Sequence, residues 1–420
     1  MKKYAEVYDY FKKLIENGAL KTGDRLPSIR NACNILSVSK TTVQNAYFDL
    51  LADGYIISVN KSGYYVTEQK SVSDFKSEKK EKEIQILYDL KSGDADEESF
   101  DIKLWQRYIK SALRSQGRLL SYSEVQGEAD LRQALAHYIR EKRNVTASPD
   151  RIIVGAGVQW LLSVLCSLVK DRKTVSFPDK SFVQGMSLFE DYGYDVHTRY
   201  KDADIIYVSP SHMTAYGDVM PMKRRLELVD YSEKTGSIII EDDFDSDFLY
   251  QSKPTPSLYA LSGNDNVVYM GSFSNVLIPG IRISFMVLTQ ELAKRFEASK
   301  HKFAQTASKT EQIALCQYIR DGHISSQTRK VRRHYTSKAR LLFDNIKAEL
   351  PDAAVTLGDN GLRVLINTDF SGDISDFEKN KISVSIIKFE DGKITLSLTP
   401  SAIKECDIPK AVAVLKSILN

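Results

Sequence analysis

The chain has 420 residues, 42% of them apolar and 27% charged, and a formal charge of +3. That length predicts two or three domains with a sizeable core, and so small a net charge excludes binding to nucleic acid or a membrane surface by bulk charge alone. No apolar run is long enough to span a bilayer, and the opening MKKYAEVYDYFKK is amphipathic, unlike a signal peptide.

Val7, Phe11, Leu14 and Ile15 share one helical face and predict a first helix that stops near Asn17-Gly18. LKTGDRLPS reads as a turn-rich link with Ser28 as the N-cap of a short second helix that turns Ile29, Ala32 and Cys33 inward. SVSK leads into a third helix, Thr41 to Asp53, burying Val43, Ala46, Tyr47, Leu50 and Leu51, with Gly54 as its stop. YIISV and YYVT around Asn60–Gly63 predict a β-hairpin. Residues 1–67 are thus read as one domain. Residues 68–99 are read as a charged linker, since 67–100 hold six lysines against ten carboxylates.

From 100 to 420, RIIVGAG, KTVSFP, ADIIYVSP, GSIIIEDD, NVVYMGSF and RISFMVL are strand-like, with amphipathic stretches between several of them. That alternation predicts a mainly parallel α/β sheet. From about 325 a basic helix, QTRKVRRHYTSKARLLFDNIKAEL, leads to a smaller α+β part containing GLRVLIN and KITLSLT. Cys33, Cys166, Cys316 and Cys406 are far apart and read as free thiols of a cytosolic protein. The six histidines form no close pair, so no metal site is expected.

The start of the third helix, Ser39-Lys40-Thr41-Thr42 with Gln44, carries groups suited to a major groove: hydroxyls and a lysine for phosphates, and an amide for a base edge. Arg25 and Arg30 flank it, and Lys61 sits at the hairpin tip. The bland alternative is a small helical domain with a solvated polar face. The whole string LKTGDRLPSIRNACNILSVSKTTVQNAYFDLLADGYIISVNKSGYYV resembles the winged helix of GntR-type bacterial regulators. By that resemblance Arg30, Lys40, Thr41, Thr42, Gln44 and Gly63 fall at DNA-contacting positions.

VGAGVQ is a strand, a glycine turn and a helix start, whose amides at Gly157, Val158 and Gln159 suit a phosphate. Ser272, Ser274 and Arg282 would complete an anion cup. Tight strand–helix packing for Gly155 and Gly157, and a surface ion pair for Arg282, are the alternatives. The strings SYSEVQGEADLRQAL, IIVGAGVQ, SPSHMTAYGDVMP, IIIEDDFDSDF, YMGSFSN and RKVRRHY, in this order, resemble fold-type I aminotransferases. Behind a GntR-type winged helix they resemble the MocR/GabR-type regulators. The resemblance implies that Asp242 meets the pyridine nitrogen of pyridoxal 5'-phosphate (PLP) and that Phe182 stacks on its ring.

It also exposes departures. Asn275 stands where the family has its Schiff-base lysine, and an amide cannot make that bond. Phe244 replaces a tyrosine and cannot hydrogen-bond the ring oxygen. Thr214, Ala215 and Tyr216 replace the usual Phe-Pro-Thr before the glycine. For the arginine that many relatives use on a substrate carboxylate, only Lys393 or Thr395 lies near the place. Lys180 and Lys253 are the neighbouring lysines considered as substitutes for the missing amine.

The resulting expectation is a cytoplasmic bacterial regulator that binds double-stranded DNA as a head-to-tail homodimer on two half-sites or bent DNA. Its aminotransferase-like domain, 100–420, senses a small effector, PLP-related or amino-acid-like, held non-covalently and without catalysis. The alternatives are a working PLP-dependent aminotransferase with a fused DNA-binding domain, and a ligand-free dimerisation scaffold.

Overall fold

Amphipathic spacing gives the first helix, α1 (Lys3–Glu16), which turns Val7, Phe11 and Ile15 inward while Leu14 stays half-buried. The computed structural model describes residues 3–67, 85–243, 246, 255–263, 266–359 and 361–419. They divide between two compact units, Met1–Glu83 and Ile84–Asn420.

In the first unit α2 (Ile29–Leu36) and α3 (Lys40–Ala52) follow α1, and β1 (Ile56–Val59) pairs with β2 (Gly63–Val66). The hydroxyl of Ser28 accepts from Asn31 N and caps α2. α3 buries Val43, Ala46, Tyr47 and Leu50. Tyr47 is the keystone: its ring meets Phe11 and Tyr64 edge-on, and its hydroxyl donates to the Pro27 carbonyl at 2.9 Å. A buried tyrosine with its polar end satisfied stabilises without an unpaired group.

The second unit is built on a seven-stranded sheet ordered β4-β10-β9-β8-β7-β5-β6, after β3 (Tyr88–Asp89). The strands are β4 (Ile152–Gly155), β5 (Thr174–Phe177), β6 (Asp195–Thr198), β7 (Ile205–Val208), β8 (Ile238–Asp242), β9 (Val267–Ser272) and β10 (Ser284–Val287). β10 runs antiparallel to both neighbours, and the other pairings are parallel. The six apolar runs of the sequence are six of these strands. β6, DVHT, escapes the apolar pattern because it is an edge strand with both ends exposed.

A second sheet, β11-β12-β15-β14, follows the helix His323–Glu349. Its strands are β11 (Ala354–Leu357), β12 (Val364–Asp369), β14 (Ser385–Glu390) and β15 (Lys393–Leu398), with β13 (Ile382–Ser383) pairing β3. Ile324, Val331 and Tyr335 of that helix belong to the core beneath the seven-stranded sheet, while Leu342 and Ile346 belong to the core of the smaller sheet. The smaller part therefore begins inside the helix, not at about 325, because one continuous helix serves two cores without a break in composition.

The linker reading of 68–99 is corrected at its C-terminal end. Tyr88 and Asp89 pair in parallel with Ile382 and Ser383, and Leu90 is fully buried in the core of the smaller sheet. Charge masked one apolar residue flanked by a strand too short to show a period. Residues 68–84, together with Phe244 and Lys253, lie outside the described residues. Leu90→Ala is expected to destabilise the second unit by about 2–5 kcal/mol, the usual cost of emptying a buried leucine site. Calorimetry should show its transition shifted downward, and an unchanged transition would return 85–99 to the linker.

Candidate functional site

On the first unit, Ser39 caps α3 by accepting from Thr42 N at 3.2 Å, and its hydroxyl lies 2.8 Å from Thr42 Oγ1. These two side chains fix the helix start, which leaves Lys40 and Thr41 exposed and Gln44 half-buried on the same helix. Gly63 has φ +123°, and a Cβ there would lie 3.1 Å from Arg25 Nε. The wing glycine thus seats the Arg25 guanidinium, and Arg25 bridges Tyr65 of β2. Lys61, at φ 60° in the hairpin turn, and Arg30 on α2 are exposed.

On the second unit, β4 ends in Gly155 and the helix Val158–Leu168 begins after Gly157. The two glycines differ. A Cβ at 155 would lie 2.1 Å from Trp160 Cε3, so Gly155 serves packing. Gly157 has φ +89°, and a Cβ there would lie 2.8 Å from Arg282 Nη2. Arg282 is exposed and has no ion pair among the described residues. The helix N-terminus and this guanidinium therefore face one another, an arrangement suited to an anion. Ser272 joins them: it accepts from Ser274 N at 3.3 Å and from Ser284 Oγ at 3.1 Å, and donates to Ser274 Oγ at 3.2 Å. Val158 is half-buried and Gln159 exposed at the same helix start.

The carboxylates at the end of β8 are separated by strand alternation. Glu241 accepts from the amides of Leu258 and Tyr259 at 2.8 and 2.9 Å. Burial, and then Asp243, push its carboxyl up to about 7. Asp243 takes a two-pronged ion pair from Arg143 at 2.7 and 2.9 Å, and Tyr269 donates to it at 2.6 Å. Asp242 points to the other face, where the Tyr207 hydroxyl donates to it. Phe182 stacks near Tyr207, with centroids 5.3 Å apart, and rests on Gly185. Phe182, Tyr207 and Asp242 form a continuous path.

Ser274 and Asn275 also line a cavity of about 80 Å³, whose other walls include Lys91, Tyr335, Arg363 and Ser401. Lys180 is exposed and lies outside that lining. Thr395 is buried and accepts from Asn367 Nδ2 at 3.0 Å, so neither it nor exposed Lys393 lines the cavity. The Thr214–Tyr216 segment is a tight loop: Thr214 bonds Asp218 at 2.5 Å, and Ala215 N donates to Asp179 at 3.2 Å. Among the described residues no group of three or more His, Cys, Asp or Glu could hold a metal ion, and no helix is long and apolar enough to cross a membrane.

Residues 3–66 match the family described as bacterial regulatory proteins, gntR family, and residues 85–204 and 195–379 match aminotransferase class I and II. An uncharacterized HTH-type transcriptional regulator of Bacillus subtilis, YdeL, is 30% identical over 99% of this chain and 96% of its own length. The chain belongs to the HTH-type transcriptional regulators that join a GntR domain to an aminotransferase domain. The HTH-type pyridoxine biosynthesis transcriptional regulator PdxR of Corynebacterium glutamicum is 26% identical over 88% of this chain and 84% of its own length. An archaeal alanine:glyoxylate aminotransferase superposes with a TM-score of 0.71 at 22% identity, covering 80% of this chain and 90% of that one, which shows the shared fold.

In this regulator the sequence reading missed Lys91, His212, Tyr335 and Arg363. Lys91 was counted as linker, and Arg363 looked like one more charge in a strand lead-in. His212 had no partner to mark it, yet it sits half-buried on the loop after β7. Desolvation, and then the Arg363 charge, push its imidazole down to about 3 against the opposing pull of Asp179. A depressed histidine pKa contributes stability above its unfolded value near 6.5, and that stability is lost as pH falls below it. By pH 5 the loss reaches about 2 kcal/mol. The melting temperature of His212→Gln should accordingly fall less between pH 7 and pH 5 than that of the parent, and parallel profiles would remove His212 as the cause.

Proposed function

We propose that this regulator reads DNA through Lys40, Thr41, Gln44 and the Arg25–Gly63 wing, and that its aminotransferase-like unit senses a small ligand without turning it over. The carrying observation is an anion cup assembled by Gly157, Arg282, Ser272 and Ser274 beside a cavity that presents an amide, Asn275. A regulator keeps a binding site if ligand affinity differs between its DNA-binding states. It needs no amine for that.

The cup fits the phosphate of PLP, and the path of Phe182, Tyr207 and Asp242 fits its ring. Arg282 and the helix start would hold the phosphate, Phe182 would cover the ring, and Asp242, positioned by Tyr207, would hold the proton on the ring nitrogen. When bound, the cofactor supplies an electron sink for amino-acid chemistry. Asn275 offers no amine to link to it or to move a proton during that chemistry. The name of PdxR, a pyridoxine biosynthesis regulator, supports a vitamin-derived ligand. We place the protein in the bacterial cytoplasm as a head-to-tail homodimer on two half-sites.

Titrating the full chain with PLP should raise its melting temperature, leave no adduct after borohydride reduction, and respond at least about tenfold more weakly in Arg282→Ala. A reduced adduct on Lys91 or Lys180 would restore covalent chemistry. No stabilisation would remove the vitamin-derived ligand.

The DNA half of the reading is tested separately. Alanine at Lys40 and Thr41 should weaken operator binding and lessen its salt dependence while the second unit melts unchanged. Unaltered affinity would move the interface elsewhere.

A further inference from the structure

The cavity beside Asn275 is walled by segments distant in sequence. Ser274 and Asn275 follow β9, Arg363 precedes β12, and the strap Lys91–Ala95 faces Ser401. Two cations and several hydroxyl or amide donors line it, and no carboxylate does so among the described residues. Arg363 is half-buried, so its charge acts through less water than a surface arginine's would. Its guanidinium is a planar fork matched to a carboxylate. Size narrows the occupant further. A cavity of about 150 Å³ admits benzene, so one of about 80 Å³ admits roughly half as many atoms, a carboxylate and its neighbouring carbon. The rest of such a molecule would extend past Ser274, which belongs to both the cavity and the anion cup.

The strap is held at both ends and is more exposed between them. Upstream, Tyr88 and Asp89 pair with β13, and the Leu90 carbonyl accepts from Thr399 N at 2.8 Å. Downstream, Asp96 is gripped by His334 Nε2 at 2.7 Å and by the fully buried Lys338 Nζ at 2.5 Å. Between these clamps the strap is braced mainly by its own turn, with Asp89 accepting from the amides of Lys91 and Ser92 at 2.9 Å each. One bond reaches across the cavity, from the Ser401 hydroxyl to the Ser92 carbonyl at 3.3 Å. Upstream of residue 85 the sequence runs back to the GntR unit.

We propose that this cavity is the carboxylate subsite of the effector, with Arg363 as its anchoring cation and the Lys91–Ala95 strap as the wall that registers occupancy. The proposal rests on the ligand-sensing reading above and adds to it the ligand class and the segment that responds. The effector is then a small carboxylic acid, an amino acid or keto acid, and not a neutral metabolite.

The test uses the full chain. Each proteinogenic amino acid, with pyruvate and 2-oxoglutarate, is screened for a rise in melting temperature, and every active compound is repeated as its carboxamide. At least one carboxylate should act and its carboxamide should not. Arg363→Gln should weaken that binding at least about tenfold, Arg363→Lys less, and both should keep the response to PLP. Hydrogen exchange in peptides covering 86–99 should slow when the active carboxylate binds. Inert carboxylates, equal potency of acid and carboxamide, unchanged affinity in Arg363→Gln, or unchanged exchange in the strap would each overturn the proposal. Should Arg363→Gln fail to fold, the acid–carboxamide comparison and the exchange of the unaltered chain still decide it. A retained PLP response with inert carboxylates defeats this inference alone, whereas loss of both responses defeats the sensor reading as well.

Discussion

Three consecutive carboxylates, Glu241, Asp242 and Asp243, are buried at the end of β8, and each has to be compensated inside the protein. Removing an ionised carboxyl from water costs several kcal/mol unless hydrogen bonds or an opposite charge replace the water. The chain solves the problem three ways: two backbone amides for Glu241, a phenol for Asp242, and the Arg143 fork with a second phenol for Asp243. Those solutions tie the segment from 255 to 261, the end of the helix Ala129–Arg143 and strand β7 to one point. The floor of the candidate site is rigid because its charges leave it no freedom to be otherwise.

Much of the fold was legible in the residues. Apolar runs between turn signals marked six of the seven strands in the large sheet, since strands covered on both faces carry unbroken apolar sequence. β6 was silent because its residues face water. The helices of the first unit were legible to within a residue or two because caps and periodicity agree there, as at Ser28 and Ser39. The boundaries at 99 and 325 were misread for a common reason: composition reports solvation on average and is blind to a single residue, such as Leu90, that changes which core a segment joins.

The site was legible in part. Gly157, Ser272, Ser274 and Arg282 are close in the fold as the motif order implied, although the residues alone could not separate Gly157 from Gly155, whose task is to accommodate Trp160. The cavity was not legible. Its lining depends on two segments, around Lys91 and around Arg363, that converge on Asn275 only once both sheets are in place. No local pattern encodes such convergence.

The helix His323–Glu349 has 27 residues, so at about 1.5 Å per residue it is a rod of about 40 Å. Its first half is embedded in one core and its second half in the other. A rod fixed in two bodies cannot let them swing apart on a loose joint; any relative motion has to roll or bend the rod itself. Tyr335, in the cavity wall, and Lys338, bonded to both Asp96 and the Ser401 carbonyl, lie where the rod passes from one core to the other. The cavity is thus placed at the fulcrum of a lever, where a displacement of a few tenths of an ångström is magnified along each arm.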